Sequence, residues 1–487
     1  ATILTPASRL SANGNQANAG QVLALSAGPT VGLGTIEAAS QGGGDGGFVE
    51  VSGRLLSLHG AINVTSQQGQ NGQVLLDPGN LTIIDAGPGS LDGSLPNILE
   101  STGGPNNHSV STSAIAAISG AVTLEATNDI TYTTATGFSA PDTDLTVSAG
   151  NNIVFTGTGN LPITTRSLNL DAGQDLVVQS GGVTNLTANT GSLSLTGGRN
   201  VTVSAPTHLV LSSPVSTSIQ GGTNVFVSSG VGGNSMTLTG PNTTMTAGQD
   251  LTLRSNFINP TTSNVTLSAV RDLRFVTHPG TSMTANVGSL NATAGRDLEV
   301  TGGSSFGLTA SQGDLLLSGG RNATVTAQSN ALSLVSSQGA TRIQAQDVQL
   351  SSSGSMTLSG NTTAQVNATQ GNASLHSGGS LNLQSASGPV VVNASAGDAT
   401  VNASGPLVLS SPVSTLVNGG NNVFVSSGVG GNPADLSGPN TTMTAGQDLT
   451  FRSNVINQTT TGNVTMSAAR DLRFVTHPGT SMTANVG

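Results

Sequence analysis

The sequence predicts an all-β fold, a parallel β-helix (β-solenoid) interrupted by a short insertion of loop and helix. Three observations predict it. A ten-residue unit recurs along the chain, apolar columns stay in register from copy to copy, and aromatic residues are too scarce for an ordinary globular core. The unit is clearest at 246–255, Thr-Ala-Gly-Gln-Asp-Leu-Thr-Leu-Arg-Ser, with variants at 171–180, 196–205, 220–229, 268–277, 293–302 and 318–327. In most copies a turn residue, usually Gly, precedes Asn or Asp, and a short run of alternating apolar and polar positions follows. That is the pattern of a turn leading into a half-buried strand.

Aligned on their acidic or amide residue, the copies give Asp175, Asn200, Asn224, Asp250, Asp272, Asp297, Asn322 and Asp347, a step of 22 to 26 residues. Steps of this length mark solenoids. One and three residues further on stand two apolar columns, predicted as the core ladder: Leu176, Val178, Val201, Val203, Val225, Val227, Leu251, Leu253, Leu273, Phe275, Leu298 and Val300. The column between them is mostly polar, with Thr202, Thr252, Arg274, Glu299 and Thr324. Successive Cβ atoms of a strand point alternately inward and outward, so stacked copies would place like on like.

Composition agrees. Of 487 residues, 35% are hydrophobic, 7% charged and 2% aromatic, with 66 Gly. Low charge and abundant Gly also occur in disordered chains, but disorder does not keep apolar columns in register. The formal net charge is −10 and every basic residue is Arg, with no Lys. A basic stripe with interleaved aromatics is missing, which argues against a nucleic-acid partner. There is no Cys, so the backbone ladder alone must hold the chain together. No run approaches the roughly 18 apolar residues of a membrane-spanning helix, and the first residues lack the basic and apolar regions of a signal peptide.

In chain order, residues 1–84 form a first β-helical block. Gln21–Ser26 and Gly34–Ala39 read as short strands; a Gly-rich turn at 42–47 then leads into Phe48-Val49-Glu50-Val51-Ser52-Gly53. Leu58–Val64 and Gly72–Ile83, which contains Leu75-Leu76-Asp77-Pro78-Gly79-Asn80, follow. The glycines are expected where the coil turns a corner, because φ > 0 costs Gly little. The order GGDGGFVEVSG, GAINV, GQVLLDPGNLTI resembles the conserved block of filamentous-haemagglutinin-like exoproteins, the large passengers of bacterial two-partner secretion. The resemblance is specific over 21–84 and looser over the later repeats. It implies a right-handed parallel β-helix, export through an outer-membrane transporter partner, a place outside the cell on the bacterial surface, and a role in adhesion. It also implies a secretion module ahead of this block, so the expectation is a segment of a longer chain, continuing past 487 with more repeats.

Residues 85–145 read as an insertion. Pro88, Pro96 and Pro105 make loop, and 111–118 reads as a short helix with Ser111 or Thr112 as N-cap and Gly120 as its stop. Alternation resumes at 121–126 and 129–133. From 146 to 487 the repeats are continuous and contain a duplication: Ser213-Pro214-Val215 returns at 411–413, an offset of 411 − 213 = 198, and 240–251 returns unchanged at 438–449.

Candidate chemistry is sparse. Asp250, Asp272 and Asp297 would lie on successive coils, where carboxylates can share Ca²⁺. The column changes freely to Asn, however, and Arg271, Arg296 and Arg321 adjoin it, so a turn ladder is the favoured reading and no metal or cofactor is expected. Asn and Asp suit turns by bonding local backbone and tolerating the left-handed region. The six His show no ligand spacing, and no convergent carboxylates suggest a glycosidase groove, so no enzyme is expected. Phe226 and Phe424, equivalent in the two long copies, stand in an outward column and are read as an exposed contact patch or as lateral packing. The resulting expectation is an adhesive or structural fibre that meets a host surface, a neighbouring cell or a glycan by multivalent contact. A self-associating matrix filament and the stalk of a contact-dependent inhibition toxin are the alternatives.

Overall fold

The computed structural model describes residues 1–58, 60–77, 80–85, 109–126, 128–133, 136–205, 208–213, 216–221, 223–229, 235–239, 242–255, 257–260, 264–276, 283–287, 289–302, 306–310, 315–328, 331–387, 389–404, 407–410, 415–419, 421–427, 433–437, 440–453, 455–458, 463–475 and 483–485. The strands pair in parallel and stack as a β-solenoid, with helix making up about 1%. Two compact units divide the chain, Ala1–Gly230 with Met236–Thr243, and Val231–Ser235 with Thr244–Gly487.

In the first unit a coil contributes three strands, each paired with its counterpart one coil on. Asp175–Gln179 pairs with Asn200–Ser204, Thr184–Ala188 with Leu209–Ser212, and Leu193–Gly197 with Thr217–Gly221. The register sets Leu176 beside Val201 and Val178 beside Val203, and these beside Val225 and Val227. In the second unit the same column runs Leu251, Leu273, Leu298, Ala323, Val348, Ala373, Ala399, Val423, Leu449 and Leu472. All twelve residues of the core ladder are 2% exposed or less. Burying such a side chain contributes about 1.5–3 kcal/mol, and the outward polar positions leave the alternate face solvated.

Residues 21–84 follow the strand order read from the motifs. Gln21–Gly32, Phe48–Leu58 and Gln73–Asp77 stack with Val22, Val49 and Val74 in register. Arg9–Ser11, Thr35–Glu37 and Ile62–Asn63 form a small parallel sheet of their own. The strands read at 121–126 and 129–133 rejoin the stack, since Gly120–Ala126 pairs with Gln73–Asp77 and Ile130–Thr133 pairs with Leu81–Ile84. Pro88, Pro96 and Pro105 lie outside the described residues. The helix spans Thr112–Ala116, with Ser111 immediately before it. Gly120 does not stop the helix; it opens the next strand with φ of +130°. Tyr132 fixes this region. Its ring is buried edge-on against Phe155 at 5.6 Å, and its hydroxyl donates to Asp85 at 2.6 Å. Burial first, then that bond, push the phenol well above its ordinary pKa.

The corner glycines have a different reason from the one the sequence suggests. Among the described residues, Gly120 and Gly137 are the glycines with positive φ. At Gly198 and Gly320 the constraint is the coil below. A Cβ there would lie 2.1 Å from the Gly173 carbonyl oxygen and 1.9 Å from that of Gly295. Coils stacked at strand spacing leave no room for a side chain at that corner.

Candidate functional site

The feature that recurs with most chemical definition is the Asp/Asn column. Each strand of that face begins at the residue after a tight corner, where the first backbone N–H points along the stack. In the first unit Asn80 Oδ1 accepts from the Asp129 amide at 3.2 Å, Asp129 Oδ1 from Asn152 at 3.1 Å, and Asn152 Oδ1 from Asp175 at 3.2 Å. In the second, Asp347 accepts from Asn372 at 2.8 Å, Asn372 from Asp398 at 2.9 Å, Asp398 from Asn422 at 3.0 Å, and Asn422 from Asp448 at 3.2 Å. The short side chain therefore reaches the next coil rather than its own turn. Left-handed backbone plays no part, since Gln16 is the one non-glycine residue with positive φ among those described.

A guanidinium completes the column wherever it is acidic and the next coil supplies Arg. Arg199 grips Asp175, Arg271 grips Asp250, Arg296 grips Asp272, Arg321 grips Asp297 and Arg470 grips Asp448. Each pair is bidentate, with Nε to Oδ1 between 2.6 and 3.0 Å. Asn stands at 200, 224, 322, 372 and 422, where the following coil brings Thr223, Gln249, Gln346, Gly397 and Gln447 instead. Asn thus stands where the next coil brings no arginine, whereas Asp also stands without one at 129, 347 and 398. That correlation is visible in the sequence once the copies are aligned, and reading each column separately misses it.

Electrostatics follow from the fork. The Arg199, Arg271 and Arg470 guanidinium groups hold Asp175, Asp250 and Asp448 below the usual carboxylate range. At Asp297 desolvation pushes the other way, and the hydrogen bond and charge of Arg321 outweigh it. Outside the column, Asp144 is lowered by Arg166 and Glu37 by Arg9.

Asp250, Asp272 and Asp297 therefore meet guanidinium groups rather than one another. Asp272 is the most enclosed, 3% exposed, with Arg296 at 2.5 Å, Arg274 at 3.7 Å and Arg271 at 4.0 Å. No group of three or more His, Cys, Asp or Glu that could hold a metal occurs among the described residues. His59, His108, His278 and His477 lie outside them; His208 is exposed, and His376 Nδ1 lies 2.9 Å from Asn402 Nδ2.

Phe226 and Phe424 are half-buried, not exposed. The register sets Thr202 beside Phe226, and Thr400 and Thr450 beside Phe424. The large apolar side chains that do protrude are elsewhere. Leu23 and Leu25, on the outward face of Gln21–Gly32 with Ala24 inward between them, are 52% and 51% exposed, and Val270, Leu472 and Phe474 also protrude. Neither a protein-family model nor a curated protein matches the chain.

Proposed function

We propose that the chain is a segment of a surface-displayed adhesive or structural fibre of the filamentous-haemagglutinin type, acting through many weak contacts. The observation that carries this reading is the outward face. In the second unit Thr252, Arg274, Glu299, Thr324, Gln349, Ser374 and Thr400 stand in one register on successive coils. Weak contacts repeated on a stiff scaffold add through effective concentration, so a deep pocket is unnecessary. The motif block at 21–84 supports the family, and with it export through an outer-membrane transporter and a place outside the cell. A host surface, a neighbouring cell or a glycan is the partner this reading calls for, and it involves no catalytic step.

The test is retention of beads bearing the full chain, at graded surface density, on host cells and on neighbouring bacteria. Multivalent adhesion predicts retention that climbs more steeply than density. Retention equal to that of uncoated beads at every density removes the reading. Leu23 and Leu25 favour a second one, lateral association of copies into a matrix filament. Cryo-electron microscopy of material shed by the producing cells separates the two, since ordered contacts between neighbouring chains are expected only for the filament.

A further inference from the structure

Three carboxylates of the turn column, Asp129, Asp347 and Asp398, meet no arginine from the next coil. Where five column carboxylates meet an arginine from the next coil, Asp347 meets Gly371. A second approach to a column carboxylate runs from two residues further along the same strand, as Arg274 approaches Asp272 at 3.7 Å and Arg473 donates to Asp471 at 2.8 Å. At Asp347 that place holds the uncharged Gln349. Oδ1 of Asp347 accepts from the Asn372 amide at 2.8 Å, and no described residue donates to Oδ2. A surface cleft of about 470 Å³ opens here between Asn322, Thr324, Asp347, Gln349, Asn372 and Ser374. Asp129 and Asp398 also lack an arginine, but Asn152 and Asn422 each bond the Oδ1 twice, from the backbone and the side chain, at 2.9 to 3.1 Å.

We infer that the Asp347 cleft binds a guanidinium group supplied in trans, the arginine side chain of a peptide or protein partner. The same carboxylate position holds a guanidinium at five other coils of this chain, so its suitability is demonstrated within the molecule. A planar fork bonds one carboxylate with two parallel N–H groups, and its remaining donors suit the amide and hydroxyl oxygens that line the cleft. An ammonium offers a point charge without that fork. The chain's net charge of −10 favours approach of a cation. This inference does not depend on surface display, and the full chain in solution suffices to test it.

The probe is N-acetyl-arginine amide, titrated into the full chain at low ionic strength and followed by ligand-observed saturation-transfer NMR. Saturable binding on the order of millimolar is expected, several-fold weaker for the lysine amide and absent for the neutral citrulline amide. Asp347→Asn keeps the bond to Asn372, as Asn does at other coils, and should weaken binding about tenfold. Gln349→Arg copies Arg274 and should weaken it similarly by filling the seat from within. Circular dichroism of both variants reports that the β-solenoid is intact. Absence of saturable binding, equal binding of citrulline, or binding unchanged in both folded variants overturns the inference.

Discussion

At the scale of single residues, the column carboxylates are alike in sequence and unlike in surroundings. Asp272 is nearly enclosed and sits against three guanidinium groups, whereas Asp448 has one guanidinium partner, Arg470, whose side chain is 62% exposed. Removing an enclosed acceptor strips charge-assisted interactions from several guanidinium groups at once. Removing an exposed one lets solvent replace it. Asp272→Ala should therefore lower stability by about 1–3 kcal/mol, and Asp448→Ala should lower it less. Guanidinium chloride midpoints of the two variants check the order. Equal losses would mean that burial does not set the value of these pairs.

At the scale of the strand and its corner, close stacking decides which residues are replaceable. Gly320 and Gly307 are both glycines of the second unit, yet a Cβ at 320 would meet a carbonyl oxygen at 1.9 Å, while at 307 the nearest atom is 3.9 Å away. Gly320→Ala is expected to cost more than about 1 kcal/mol, since the obstructing atom is backbone and cannot swing aside. Gly307→Ala should be neutral or slightly stabilising, because Ala has less freedom to lose on folding. Thermal midpoints of the two variants test this, and a tolerated Gly320→Ala would show that the corner opens readily. The same contrast shows what was legible in the sequence. The columns Leu176–Val201–Val225 and Leu251–Leu273–Leu298 could be read because alternation and period are one-dimensional properties. Why Gly occupies the corner, and why Asp rather than Asn stands at 250, depends on an atom one coil away. For Asp250 the decisive residue is Arg271, which in the linear sequence adjoins Asp272 and in the fold pairs with Asp250. For Phe226 the polar column leaves an exposed patch and lateral packing both open, because it says which way a side chain points and not how far its neighbours cover it.

At the scale of the whole chain, the lowered carboxylates become a dependence on acidity. Asp144, Asp175, Asp250, Asp297, Asp448 and Glu37 all titrate below their ordinary values when folded. A carboxyl depressed by folding contributes stability that is fully present above its unfolded pKa and is lost as pH falls through its folded pKa. Unfolded Asp and Glu titrate near about 4, so the thermal midpoint should be level from about pH 5 to 7 and decline below about pH 4. With every basic residue an Arg, the chain also becomes strongly cationic in acid, and self-repulsion adds to the decline. The two causes separate in a variant carrying Asp175→Asn, Asp250→Asn, Asp297→Asn and Asp448→Asn together. Asn can still accept the next coil's amide, as Asn372 does from Asp398, but it offers the arginine no charge. That variant should start from a lower midpoint at pH 7 and lose less between pH 5 and 3 than the parent chain. If its acid decline is as steep as the parent's, repulsion among the arginines governs acid stability, and the coil-to-coil pairs contribute little to it.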